Sequence, residues 1–166
     1  MESDVRSPAD LELVINRTAL IENLLDQIIE TFVLPRKGAR SFFWEIVLHT
    51  SILPLGAKVK VALAISQELS TELDQAALHG VVSLRNAFAH QATDANPVLT
   101  VGRSPEADRL EYTLLVISNS GRTSRKSRDA GLNEFNEFYA RAKPSLVRLR
   151  ENVRSIANSG ASDTPK

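Results

Sequence analysis

Leu84-Arg85-Asn86-Ala87-Phe88-Ala89-His90 closes a run that begins at Thr71, and its reading decides the fold. On a helical wheel of about 100° per residue, Leu73, Ala77, Val81, Leu84 and Phe88 gather into one arc, the expected core face. Thr71 is placed to cap this helix, with Asp74 three residues on, and Gln91-Ala92-Thr93-Asp94-Ala95-Asn96-Pro97 breaks the pattern. Opposite the core arc, His79, Asn86 and His90 stack nearly in line, being seven and then four residues apart. Val82 and Ser83 flank the stripe, Ala76 and Ala87 lie just beyond, and Arg85 falls near the edge of the core arc. Small and apolar neighbours are unusual on a purely solvated face. They predict a second surface there, such as a copy of the same helix across a two-fold axis, hence a homodimer through the 71–90 face.

Upstream, Ser7-Pro8-Ala9-Asp10 is an S-x-x-D start with proline at the first helical position. Leu13, Ile15, Leu20, Ile21, Leu24, Leu25, Ile28 and Ile29 then recur at helical spacing until Leu34-Pro35. A short aromatic helix is expected from Ser41 to about His49, half swallowed by the core, with His49 a hydrogen-bonded structural histidine. Another runs from Gly56 to Leu69, with Lys58 and Lys60 left to solvent. Downstream, Val98–Val101 and Arg109–Ile117 read as strands around the turn residues Gly102 to Glu106. A basic loop, Arg122-Thr123-Ser124-Arg125-Lys126-Ser127-Arg128, leads to a last helix from about Gly131 to Ile156, which Pro144 should kink or restart. The expected fold is mainly α: an up-and-down helical bundle with a small β-hairpin between the motif helix and the C-terminal helix. Residues 7–157 form one domain, between a disordered 1–6 and a disordered 158–166.

Composition narrows the chemistry. The 166 residues are 43% hydrophobic and 24% charged, enough to bury a core without staples. Cysteine is absent, which excludes disulfides, thiolate catalysis and cysteine-held zinc; three histidines argue against a histidine-rich metal site, and no metal or cofactor is expected. No apolar run reaches membrane-spanning length, and Met1 to Arg6 is polar, so a cytoplasmic protein away from membranes is expected. Twenty basic residues balance twenty acidic ones, so contact with RNA would rest on a local patch.

The plainer reading of Arg85, Asn86 and His90 is a solvated helix end, where a cation complements the helix dipole. However, Arg-Asn, three residues and then His near the end of a helix resembles the R-x4-6-H motif of HEPN domains. The Phe42-Phe43-Trp44 helix, Gly56-Ala57-Lys58-Val59-Lys60 and the motif helix are similar to the mannitol-repressor (MltR-like) branch, over Leu11 to about Gln91. The resemblance implies a metal-independent endoribonuclease of toxin or defence type, with Arg85, Asn86 and His90 as its catalytic residues. In such a reaction the RNA 2′-OH attacks its own phosphate. His90 is the motif residue able to move protons near neutrality, Arg85 suits the phosphoryl charge, and Asn86 would orient either. Arg85 and His90 lie about 140° apart around the helix, so two motifs facing across a dimer are expected to complete one site, which Val82→Glu would break.

His79, Arg122, Arg125, Lys126 and Arg128 are the candidates for holding substrate phosphates; a solvated connection is the competing reading of the last four. Two further functions stay open. One is a non-catalytic regulator working through protein partners, as the MltR-like likeness suggests. The other is a helical subunit controlled by a nucleotidyltransferase-type antitoxin. No helix-turn-helix with a basic recognition face is found, so direct DNA reading has no support.

Overall fold

The computed structural model describes residues 8–91, 97–100 and 109–160. Helix α1, Pro8–Val33, buries Val14, Ile21, Leu25 and Ile28 completely, at steps of seven, four and three residues. Ile15 and Leu20, expected in that face, are exposed, because Val14 and Ile21 occupy the inward positions beside them. The helix stops where Leu34 adopts a left-handed φ of 49° and Pro35 follows.

The expected helix from Ser41 to His49 is not a regular one. Residues Lys37–Ala39 form a 3₁₀ turn, α2 is only Arg40–Phe42, and Phe43–Val47 widens into a π turn closed by Leu48 N donating to Phe43 O at 2.9 Å. That wider turn directs Leu48 into the core, while Phe42, 62% exposed, and Ile46 remain outside. His49 is exposed and shares a 2.8 Å hydrogen bond with Ser51 Oγ.

Helix α3 is Leu55–Glu68, α4 Gln75–Gln91 and α5 Arg128–Gly160. Residue pairs fix their directions. Asp10 meets Arg128, Arg17 meets Asn136 and Gln27 meets Arg154, so α1 and α5 run parallel. Thr71 meets Asn152 and Asp74 meets Arg141, so α4 runs against both. Parallel first and last helices are what an up-and-down order of five helical segments requires. Helix α5 starts three residues before Gly131, continues through the exposed Pro144 without restarting, and extends past residue 157 to Gly160.

Three strands, β1 Pro97–Thr100, β2 Arg109–Ile117 and β3 Thr123–Ser127, form an antiparallel sheet in sequence order. The third strand corrects the basic loop. Ser118 to Arg122 is itself a tight turn: Ser118 N donates to Arg122 O at 2.9 Å, and Gly121 takes a φ of 79° that a side chain would strain. The chain is thereby brought back beside β2, pairing Thr123 with Ile117 and Ser127 with Thr113. Arginine and lysine suit β3 because they blunt an edge strand. The predicted termini 1–6 and 161–166, the turn at 102–106 and residues 92–96 of the break lie outside the described residues. Helix α4 lies between β2, α5, α3 and α1, so the motif helix is framed on several sides by its own chain.

Candidate functional site

Helix α4 starts later than Thr71 suggests. Asp74 is the cap, its Oδ1 accepting from Ala77 N at 2.9 Å. Thr71 instead closes the end of α3, its N donating to Ser66 O at 2.8 Å, and its hydroxyl accepts from Asn152. Ala77, Val81, Leu84 and Phe88 are buried as the wheel predicts, with Leu73 half-buried; Leu78 and Ala87 join them. Ala87 is buried within its own chain, on a helix against which β2 packs, whereas Ala76 is exposed.

The predicted stripe divides accordingly. Asn86 and His90 are exposed, one turn apart, at the C-terminal end of α4. His79 is half-buried in a groove of about 400 Å³ between α4, α5 and the β2–β3 turn. Arg85, also half-buried, donates from Nη1 to Asn86 Oδ1 at 3.1 Å. Arg85 and Asn86 are thus joined directly, with His90 a turn beyond Asn86.

The basic candidates separate too. On β3, the side chains opposite Leu114 and Val116 belong to Lys126 and Ser124, and those two line the groove with His79. Arg125 pairs with Leu115, whose side chain is exposed on the other face. Lys126 forms an ion pair with Glu134, and Arg128 with Asp10 at 3.0 Å while stacking over Phe88. Arg122 and Arg125 are exposed. The five residues taken as phosphate holders therefore do not form one patch: His79 and Lys126 share a groove, Arg125 faces away from it, and Arg128 is turned to α1.

A charged cluster stands behind Arg85. Lys58, expected in solvent, is 1% exposed. Its Nζ donates to Glu22 Oε1 at 2.7 Å and to Asp26 Oδ2 at 3.0 Å, both on α1. Thr50 Oγ1 donates to the same Glu22 oxygen at 2.8 Å. Burial pushes the Glu22 carboxyl up, yet the hydrogen bonds from Lys58 and Thr50 and the charges of Lys58 and Arg85 hold it below its ordinary value. Asp26 is held above its ordinary value, because burial and the negative charge of Glu22 outweigh Lys58. The motif arginine thus has electrostatic company inside the chain. Signs of this were present: Lys58 shares the helical face of Leu55, Ala62 and Ile65, and Glu22 and Asp26 are a turn apart on a core helix.

Among the described residues, no group of three or more histidine or carboxylate side chains is placed to hold a metal ion. Nor is any helix among them long and apolar enough to cross a membrane. Compared with protein-family models, with curated proteins and with solved structures, the chain matches none.

Proposed function

We propose that this chain is a metal-independent endoribonuclease of the HEPN kind, acting in the cytoplasm as a homodimer under the control of an antitoxin-type protein. The observation that carries the reading is the end of α4: Asn86 and His90 exposed one turn apart, with Arg85 hydrogen-bonded to Asn86. In the reaction, His90 removes the proton of the RNA 2′-OH, whose oxygen forms a new bond to phosphorus. The bond to the 5′-oxygen breaks, and that oxygen leaves with a proton supplied by the His90 of a second copy. The products are a 2′,3′-cyclic phosphate and a 5′-hydroxyl end. Arg85, swung from Asn86 toward the phosphate, balances the charge that gathers on the phosphoryl oxygens. RNA rather than DNA is the substrate because the nucleophile is the 2′-OH.

One observation favours a second reading, a non-catalytic regulator acting through protein partners. Arg85 lies close enough to Glu22 for its charge to help hold that carboxyl below its ordinary value, and it donates a hydrogen bond to Asn86, so the arginine has a role within its own chain. Incubation with total tRNA and a structured messenger RNA in EDTA separates the two. Cleavage leaving cyclic phosphate ends, reduced about 10²- to 10⁴-fold by His90→Ala and also by Arg85→Ala, is the expected result. A folded wild-type protein that leaves both RNAs intact overturns the ribonuclease and leaves the regulator.

A further inference from the structure

The groove beside the motif helix has a composition that calls for a ligand of one kind. Its floor is apolar and includes the ring of Phe138, which lies against α4 only because residue 80 is glycine: a Cβ there would come within 2.3 Å of the ring. Its rim is polar but carries no net charge. Lys126 is neutralised by Glu134, and the remaining polar groups are hydroxyls, an amide and an imidazole. The side chains of Ser83, Asn119 and Ser124 make no hydrogen bond among the described residues. His79 uses one ring nitrogen at 3.4 Å from Gln75. Such a site is matched to a flat, neutral ligand with apolar faces and an edge of mixed donors and acceptors. Phosphate would be poorly served, since among the described residues the lysine that lines the groove is already paired with Glu134.

We infer that this groove binds a nucleobase with its ribose, an unstacked base of the RNA strand lying along α4. The inference rests on the ribonuclease reading for its source of bases, and the register supports it. Ser83 is seven residues before His90, roughly 10 Å along the helix axis, a separation that one to two nucleotides of extended strand cover. The base enters between Phe138 and the β2–β3 turn. Asn119 and Ser83 hydrogen-bond its edge, and His79 and Ser124 reach the ribose hydroxyls. The groove would therefore set which base lies next to the scissile phosphate, with Arg85 and His90 blind to base identity.

The test uses the full chain and the four ribonucleosides, with binding followed by NMR at the His79 and Phe138 resonances. Saturable shifts with at least one nucleoside, at a Kd on the order of 1 mM or tighter, are expected. Asn119→Ala on the exposed turn should weaken binding about 5- to 10-fold, one edge hydrogen bond's worth. Ser83→Leu, which fills the groove, should abolish it, and Lys60→Ala on α3 should leave it unchanged. Absence of shifts at these residues with all four nucleosides overturns the inference. So does binding that Asn119→Ala leaves unchanged. The two readings fail separately. RNA cleaved by a protein that binds no nucleoside keeps the ribonuclease and removes the groove's role. Nucleosides bound by a protein that cleaves nothing keep the groove and remove the ribonuclease.

Discussion

Lys58 shows how much rests on single side chains. An ammonium group that is 1% exposed is tolerable only because Glu22 and Asp26 hold it from α1. Lys58→Met leaves two carboxylates crowded in the interior without their cation. Urea unfolding should show a loss of about 3–5 kcal/mol, and adding Glu22→Leu with Asp26→Leu should recover most of it. The same pair gives pH dependences of opposite sign. Glu22 is held below its ordinary value of 4.5, so the stability it contributes is present above that pH and is lost as pH falls through its lowered pKa. Stability curves for wild type and Glu22→Gln should therefore converge below pH 4.5. Asp26 is held above 3.8, so its folded form favours the proton. Relative to Asp26→Asn, wild type should lose stability as pH rises from 3.8 through that raised pKa. Difference curves of the same slope for the two variants would contradict the assigned charges.

Among elements, α4 and α5 meet through Gly80 and Phe138. Gly80→Ala gains helix propensity but drives a methyl into the ring at 2.3 Å. A net destabilisation of about 1–2 kcal/mol is expected by thermal unfolding, relieved when Phe138→Leu is added. Helices α1, α3, α4 and α5 were legible because their apolar spacing survives in the core: Ile21, Leu25 and Ile28, or Ala77, Val81, Leu84 and Phe88, are buried as a period of 3.6 demands, although Val14 takes the inward place expected of Ile15. What was illegible depended on contacts distant in sequence. The strand β3 reads as a polar loop since an edge strand needs no apolar alternation; its order comes from β2 and the turn at Gly121. The π turn at Phe43–Val47 has no periodic signature at all. Lys58 was misplaced by its charge, although its position on the wheel was inward. At the candidate site, the order Arg85, Asn86, His90 was plain, but the hairpin covering His79 and the carboxylate behind Arg85 came from α1 and the sheet.

For the molecule as a whole, the proposed reaction needs two copies, and the exposed end of α4 is the surface on which they would meet. Asn86→Arg places like charges face to face there without touching the core. Sedimentation should change from dimer to monomer, with RNA cleavage lost in step; an unchanged dimer would put the contact elsewhere. Val82→Glu is the poorer probe, because Val82 is half-buried against the core of its own subunit. The parallel clasp of α1 and α5 has a further consequence, in time rather than space. Arg17 and Asn136 are 119 residues apart, so at about 5–20 residues per second on the ribosome α1 waits roughly 6 to 24 s for its partner. Through that interval α3 and α4 can reach α1, but the part of its face that α5 covers stays open, a ready target for chaperones on the nascent chain. Under the proposed ribonuclease reading, the active form would arise only once α5 has been made, which gives an inhibitor translated alongside it time to be present first.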